Sequence, residues 1–334
     1  MEKFQVNSEV GKLQSVLLHR PGRELESLTP QYLDSMLFED IPYLGQMQQE
    51  HDQFSELLRS EGCSVHYVEH LLAEVLQDDR LRQLAVAHLV ESAQIFSPSL
   101  KASIEEHIGA AKPHELVSYC IGGLLKSEID SKVRHRTLSY YIREAYPYYI
   151  SPLPNLYFTR DPATVIGDTM MIHTMKTESR RRENWLLSLI AEHHPLFVHG
   201  RHIGNYSHGS SIEGGDILVL NGECAAVGCS ARTGVWAIEA FARSMMKPVE
   251  IGGAGLQEVL VVQIPYTRAY MHLDTVFTMV DRDAFTIYGG IMHALKVFSI
   301  RMGRRDTLQI EEESSLDAAL KRILHVPAIR LIQS

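Results

Sequence analysis

Two carboxylates separated by two glycines are the first residues that could carry chemistry. Glu213 and Asp216 flank Gly214 and Gly215 in the string IEGGD. Because glycine has no side chain, the backbone there can bend closely around a ligand. Carboxylates held in this way could bind a cation, either a metal ion or a guanidinium. The alternative is that the string only opens a β-hairpin.

A histidine and two aspartates form a second group. His272 and Asp274 stand two positions apart just before a predicted strand, so an extended segment would point both side chains to one side. An imidazole beside an acid is a candidate proton carrier or a pair of metal ligands, although a structural role would produce the same spacing. Asp161 precedes Pro162 where a strand ends, which suits either a site residue or an ordinary turn aspartate.

Two arginines could bind a carboxylate. Arg180 lies in a run of three arginines, a pattern typical of a solvated surface, and Arg232 comes just before Thr233, which can cap a helix. Either guanidinium could hold a carboxylate with two parallel hydrogen bonds. These groups together predict a ligand with a cation at one end and a carboxylate at the other, such as an amino acid with a cationic side chain. The same inventory lacks an obvious nucleophile.

Composition limits the partners. The chain has 334 residues and a formal net charge of −9, so no broad basic surface for nucleic acid is expected. It has no apolar run of the roughly 18 residues that a membrane span needs, and its first residues resemble no signal peptide. We therefore expect a cytoplasmic protein. Its four cysteines show no metal-binding spacing, so we expect free thiols, no metal and no cofactor.

The elements that must position these residues alternate between strands and helices. Residues 15–19 predict a strand, 48–61 a helix and 64–68 a second strand. Between 70 and 149 the leucines follow helical spacing, which predicts a block of short helices. Strand patterns return after Pro154.

The second half predicts a repeated scheme of hairpin, helix and strand. Asn221-Gly222 predicts a tight turn between strands 216–220 and 225–227. Thr233 would cap a helix whose apolar face carries Val235, Ile238, Phe241 and Met245, and Ser315 would cap a helix over 316–324. The remaining predicted strands are 168–173, 258–264, 275–280, 284–288, 293–300, 307–311 and 328–332.

Several longer motifs resemble the arginine deiminase family. They are LHRPG at 18–22, LTP at 28–30, LFED at 37–40, PNLYFTRDP at 154–162, IEGGD at 212–216 and MHLDTVFTMVD at 271–281. The resemblance covers the whole chain and implies an α/β fold. That fold is a pentein-type α/β propeller of ββαβ modules with a helical insertion. It implies a first propeller module at 1–69, the helical insertion domain at 70–149 and further propeller modules at 150–334.

The resemblance also implies a reaction and a role for each residue. Members of the family hydrolyse L-arginine to L-citrulline and ammonium through a covalent intermediate on a cysteine thiol, without a metal. Asp161 and Asp274 would grip the guanidinium, and His272 would be the general acid and base beside Glu213. The groups expected to bind the α-carboxylate or line the site are Arg180, Arg232, Asn155, Leu37 and Asp216.

The nucleophile is the one departure from the family pattern. The family carries its catalytic cysteine near the C-terminus, in a loop of the last module, and this chain ends where that module would begin, so we expect an incomplete propeller without the nucleophile. Three explanations stay open: a fragment, a natural truncation, or a catalytically inactive protein that binds arginine or acts as a scaffold. An incomplete propeller would expose apolar surface and favour association into a homo-oligomer. A metallohydrolase is a further alternative of different chemistry.

Overall fold

The computed structural model describes residues 4–26, 28, 30–93, 95–130, 146–204, 206–247 and 254–333. Its internal contacts define two compact units. We call Leu13–Thr159 the helical unit, and Met1–Lys12 together with Arg160–Ser334 the sheet unit. None of the helices in the described ranges has the length and apolar character needed to cross a membrane.

The helical unit begins with a strand, a helix and a parallel strand. β1 (Ser15–Leu18) pairs with β2 (Ser64–Tyr67), and α1 (Leu44–Ser60) connects them. This confirms the strand, helix and strand predicted there, with α1 starting four residues earlier than the pattern indicated. The helical block predicted for residues 70–149 follows. It is accompanied by a short antiparallel pair of strands, β3 (Leu124–Leu125) and β4 (Tyr148–Ile150).

Helices make up most of the rest of this unit. They are α2 (Val68–Val75), α3 (Asp79–Ser92), α4 (Pro98–Gly109), α5 (Pro113–Gly122) and α6 (Lys126–Ile129). Asp78 and Ser97 accept hydrogen bonds from the first turns of α3 and α4, and proline opens α4 and α5, where its missing N–H costs nothing. Residues 131–145 of the predicted block lie outside the described residues.

The sheet unit repeats one arrangement three times: an antiparallel hairpin, a helix, and a strand parallel to the second strand of the hairpin. The first repeat is β5 (Ala163–Ile166), β6 (Thr169–Ile172), α7 (Arg181–His193) and β7 (Arg201–Ile203). The second is β8 (Ile217–Val219), β9 (Cys224–Cys229), α8 (Val235–Met245) and β10 (Glu258–Gln263). The third is β11 (Phe277–Asp281), β12 (Ala284–Ile287), α9 (Leu316–Leu324) and β15 (Arg330–Gln333).

Two further strands extend the second repeat. β13 (Lys296–Met302) and β14 (Leu308–Glu312) add antiparallel beyond β10, which gives the order β14-β13-β10-β9-β8. The described chain is therefore a mixed α/β protein, as predicted. The three predicted domains remain a prediction, since the contact-based units divide the chain at other points.

Local patterns located most of these elements, with two exceptions near α8. Ile238, Phe241 and Met245 are buried as predicted, but Val235 is 54% exposed because it lies in the first turn, turned away from the sheet. Thr233 does not cap α8, which starts after Gly234 without a side-chain cap. Its hydroxyl instead accepts the backbone N–H of Glu213, so a long-range partner has replaced the local one.

Candidate active site

The centre of the site is formed by Asp161, Glu213 and His272, all buried in the sheet unit. Nε2 of His272 lies 2.7 Å from Oε2 of Glu213, and its Nδ1 lies 3.9 Å from Oδ1 of Asp161. One potential ligand atom from each of the three residues lies within 4.8 Å of the others. Motifs far apart in the sequence are thus brought together as predicted.

The backbone around Gly215 permits this approach. Gly214–Asp216 form a single 3-10 turn, and the Gly215 N–H donates to Oδ1 of Asp161 at 3.2 Å. A Cβ on Gly215 would lie 2.8 Å from the His272 ring and 3.0 Å from the Asp161 carboxylate. The close bend expected from the two glycines is therefore present, and its occupants are the protein's own imidazole and carboxylate.

His272 and Asp274 do not share a side in the way an extended segment would place them. Leu273–Thr275 form a 3-10 turn instead. His272 turns to Glu213, whereas Oδ2 of Asp274 lies 3.8 Å from Nε of Arg160. The extended segment on which that placement depended is absent because the chain coils before β11 begins, and the shared site of His272 and Asp274 stays a prediction.

Charge raises the pKa of His272. Burial alone would lower it, but the hydrogen bond to Glu213 and the charges of Asp161 and Asp216 outweigh burial and raise the pKa to about 8. For Glu213, burial favours the neutral acid, yet His272, Arg180 and Arg232 outweigh it and lower the pKa. At neutral pH the pair is therefore an imidazolium beside a carboxylate, with a proton ready to be donated.

Arg180 is buried rather than solvated. Its side chain is 3% exposed, although it belongs to a run of three arginines. Nη1 lies 2.7 Å from Oδ2 of Asp161, and Nε and Nη2 donate to the buried Glu183 at 2.8–3.2 Å. The interpretation of this run as a solvated face was wrong for Arg180, because the carboxylates around it compensate the cost of burying its charge.

One guanidinium nitrogen of Arg232 has no hydrogen-bond acceptor among the described residues. Nη1 lies 3.7 Å from Oε2 of Glu213, beyond hydrogen-bond distance, and is a buried nitrogen without a hydrogen-bond acceptor among the described residues. Its Nη2 donates to a weak acceptor, Sδ of Met271, at 3.4 Å. A buried guanidinium with an unused donor is suited to receive an incoming carboxylate.

Asp216 connects segments of the site through buried hydrogen bonds. Its Oδ1 accepts the Leu273 N–H at 2.8 Å and its Oδ2 accepts the Ser230 hydroxyl at 2.7 Å. Burial raises the pKa of Asp216 to about 7, against the opposing effect of His272. These contacts tie the IEGGD turn to the His272 segment, so this carboxylate positions other groups rather than lining an open space.

Asn155 and Leu37 lie in the helical unit and are close to one another. Nδ2 of Asn155 donates to the backbone oxygen of Met36 at 2.7 Å. Leu37 follows with a left-handed backbone, φ 65°, at the end of a 3-10 turn. Their roles in binding stay predictions.

The four cysteines are all buried. Cys63 and Cys120 belong to the helical unit and Cys224 and Cys229 to the sheet unit. Burial raises the pKa of Cys224 to about 12 and also raises that of Cys229, whose Sγ lies 2.9 Å from the Tyr266 hydroxyl. Thiols with raised pKa values carry little of the reactive thiolate at neutral pH.

Sequence reasoning missed two residues that contact the site. Glu183 holds Arg180, and its spacing of three positions at the start of a helix was a signal that could have found it. Arg160 lies beside Asp274 and also donates to the backbone oxygens of Gly214 and Ile217. It directly precedes Asp161 but has no local pattern that predicts these contacts.

The charges at the site bear on whether a guanidinium or a metal ion would bind. Asp161 and Glu213 face the guanidinium groups of Arg180 and Arg232 and the imidazole of His272. Burial raises the pKa of Glu183 and of Asp216 to about 7, so these two carboxyls carry only part of a negative charge at neutral pH. Asp161, Glu213 and His272 are close enough to hold a metal ion. However, guanidinium groups already lie against both carboxylates, and these would repel a divalent cation.

Comparison with known proteins agrees with this chemistry. Residues 34–334 match the family model for arginine deiminase. The arginine deiminase of Bacillus cytotoxicus is 42% identical over 336 residues, covering 98% of this chain and 80% of that protein. The arginine deiminase of Latilactobacillus sakei is 37% identical over 334 residues, with the same coverage.

Solved structures give more distant matches. DDAH from Pseudomonas aeruginosa, a cysteine variant in complex with citrulline, is 15% identical with a TM-score of 0.45, covering 83% of this chain and 70% of that one. An amidinotransferase from Microseira wollei is 12% identical with a TM-score of 0.46, covering 86% and 71%. The family match and the similarity over nearly the full length therefore show that this chain belongs to the arginine deiminase family.

Proposed function

We propose that the sheet unit binds L-arginine at Asp161, Glu213 and His272 and supplies the guanidinium-holding and proton-transfer groups of an arginine deiminase. The observation that carries the proposal is the buried group of Asp161, Glu213 and His272, with the hydrogen bond between His272 and Glu213 at its centre. A guanidinium is planar and always charged, so fixed carboxylates can hold it flat. Asp161 and Asp274 are the carboxylates proposed to bind the guanidinium nitrogens.

Arg232 is the proposed receptor for the α-carboxylate. Its buried Nη1 has no hydrogen-bond acceptor in the described part of the chain, and its charge lies beside Glu213 rather than in a tight pair with it. A carboxylate that arrives there would form charge-assisted hydrogen bonds away from bulk water, which are stronger than neutral ones.

His272 is the proposed proton carrier. A thiolate would attack the guanidinium carbon and form a C–S bond. As the C–N bond breaks, the imidazolium donates its proton and ammonia leaves. Water then adds to the same carbon and gives one proton to His272. Cleavage of the C–S bond, with loss of the second water proton to solvent, releases citrulline and the thiolate, and that proton balances the conversion of ammonia to ammonium. Glu213 keeps His272 charged for the first transfer.

The thiolate that this reaction needs would have to come from a cysteine. All four cysteines are buried, and burial raises the pKa values of the two in the sheet unit. An arginine-binding protein without turnover is therefore the second candidate function. The three hairpin, helix and strand repeats support the proposal that the fold is a propeller of ββαβ modules.

Calorimetric titration with L-arginine tests the proposed function. We expect binding that is at least about tenfold tighter than that of L-lysine, whose ammonium lacks the planar fork. Asp274→Asn should weaken L-arginine binding about tenfold, since a charged hydrogen-bond acceptor is lost. The matched control is Asp283→Asn, in the exposed turn between β11 and β12. Absence of L-arginine binding would refute the proposal.

Two further measurements separate the alternatives. Citrulline release by the 334-residue chain should be absent if none of its four thiols is the nucleophile, and sustained turnover would show that one of them is. Metal analysis, with L-arginine binding measured before and after dialysis against a chelator, separates a guanidinium site from a metal site. We expect no change in affinity.

A further inference from the structure

The guanidinium of Arg160 lies close to Asp274, one of the two carboxylates proposed to bind the ligand guanidinium. Nε of Arg160 is 3.8 Å from Oδ2 of Asp274, beyond hydrogen-bond distance. The single N–H of Nε donates instead to the backbone oxygen of Gly214 at 3.2 Å. The Asp274 side chain is 30% exposed, so a ligand can reach its carboxylate. A cation of the protein is therefore held beside a ligand-binding carboxylate without occupying it.

Glu9 holds Arg160 in that position. Its carboxylate accepts from both terminal nitrogens of the guanidinium, Oε2 from Nη1 and Oε1 from Nη2, each at 3.2 Å. Nη2 of Arg160 also donates to the backbone oxygen of Ile217. A two-pronged pair of this kind fixes the orientation of a guanidinium as well as its distance. One carboxylate and two backbone oxygens thus determine where the charge of Arg160 lies.

Glu9 is itself anchored on a strand of the sheet unit. Its backbone N–H donates to the backbone oxygen of Val219 at 3.0 Å, and its Oε1 accepts the Val219 N–H at 2.8 Å. Val219 ends β8, which starts directly after the IEGGD turn. The strand that follows the turn therefore also positions the carboxylate that holds Arg160.

Without the charge of Glu9, Asp274 would become the acceptor to which Arg160 turns. The attraction between opposite charges grows as their distance falls, and Asp274 is already only 3.8 Å away. A carboxylate binds one planar guanidinium with two parallel hydrogen bonds. Arg160 would then occupy on Asp274 the place that is proposed for the guanidinium of the ligand.

We propose that Glu9 is a positioning residue of the arginine site, which keeps the Arg160 guanidinium from pairing with Asp274 and so leaves that carboxylate for the ligand. This inference rests on the proposed arginine site. It adds to the site a segment that lies before the first of the family motifs, at 18–22. Glu9 favours binding of L-arginine, and an Arg160 that Glu9 does not hold opposes it.

A double-mutant cycle on the affinity for L-arginine tests this inference. Glu9→Gln, Arg160→Gln and the double variant are each titrated calorimetrically beside the unaltered chain. Glu9→Gln keeps an oxygen for the Val219 N–H but should bind L-arginine about tenfold weaker, because the released Arg160 competes for Asp274 through charge-assisted hydrogen bonds. In the Arg160→Gln background, Glu9→Gln should change the affinity less than about twofold, because the competitor is absent.

A purely structural role of the pair predicts a different result. Loss of either partner would loosen the same turn, so Arg160→Gln would bind L-arginine as weakly as Glu9→Gln. We expect Arg160→Gln to bind clearly more tightly than Glu9→Gln. Equal weakening in the two single variants, or an equal effect of Glu9→Gln in both backgrounds, refutes the inference.

The matched control is Glu223→Gln, in the exposed connection between β8 and β9, which should leave the affinity unchanged. If the unaltered chain does not bind L-arginine, the proposed function itself fails. Circular dichroism checks that each variant is folded. Should Arg160→Gln not fold, Arg160→Met removes the same charge and must make the affinity equally independent of Glu9.

Discussion

Replacing Glu213 with glutamine should remove most of the charge that keeps His272 protonated. The pKa of His272 is about 8, compared with 6.5 for an unperturbed histidine, a shift worth about 2 kcal/mol. Burial lowers the pKa of His272, and the hydrogen bond that its Nε2 donates to Glu213 at 2.7 Å is the largest contribution that raises it. Since glutamine keeps the shape but not the charge, burial should then prevail.

We expect the pKa of His272 to fall by at least about 1.5 units in Glu213→Gln, to 6.5 or below. The charges of Asp161 and Asp216 remain and limit the fall. At pH 7 the imidazole would change from mainly protonated to mainly neutral. The proposed acid of the reaction would then be lost at the pH where the unaltered protein has it.

Long-range proton–nitrogen NMR of the histidine rings, recorded between pH 5 and 9 on the unliganded protein, measures this directly. His272→Asn assigns the signal among the 17 histidines. Glu223→Gln, in the exposed connection between β8 and β9, is the matched control and should leave the pKa near 8. A pKa that stays near 8 in Glu213→Gln would mean that Glu213 is not what holds the proton.

Two further predictions concern the stability of each unit. His19 lies buried between two carboxylates. Burial lowers its pKa, but hydrogen bonds to Glu24 and Glu69 raise it to about 9, so its contribution is present below pH 6.5 and is lost as the pH rises through 9. Denaturant unfolding should show a loss of up to about 3 kcal/mol between these pH values, which His19→Gln should abolish. In the sheet unit, a Cβ on Gly228 would collide with the Asp216 carboxylate. Gly228→Ala should therefore lower the free energy of unfolding by about 1–3 kcal/mol and weaken arginine binding. Gly222→Ala, whose Cβ would make an ordinary contact with the Asn7 side chain at 4.0 Å, should do neither in a paired denaturation and titration.

Local patterns were enough to locate most elements. Asn221-Gly222 predicted a hairpin, and β8 and β9 do pair antiparallel around them, with the Asn221 side chain accepting the N–H groups of Glu223 and Cys224. The Ser315 hydroxyl caps the helix over 316–324 as predicted. These features depend on hydrogen bonds between residues a few positions apart, and such local hydrogen bonds can be predicted from the sequence.

No local sequence pattern predicted the contacts between site residues that are far apart in the sequence. Glu213 and His272 are 59 positions apart, and Arg180 and Asp161 are 19 apart. Hydrophobic periodicity indicates which face of a helix or strand is buried, but it does not indicate which buried charged side chains contact one another. Nor did it reveal that the chain forms a 3-10 turn at Leu273–Thr275, where an extended segment was expected.

The sequence alone determined the family of this protein, its mixed α/β character and the residue types of its site, because these depend on motifs and local order. Only the tertiary structure decided that Arg180 is buried against Asp161, that Glu183 holds it, and that Arg232 keeps a donor unused. The physical reason is that a buried charge is tolerated only where opposite charges and hydrogen-bond partners converge in space. That convergence is set by the packing of several elements and not by any one of them.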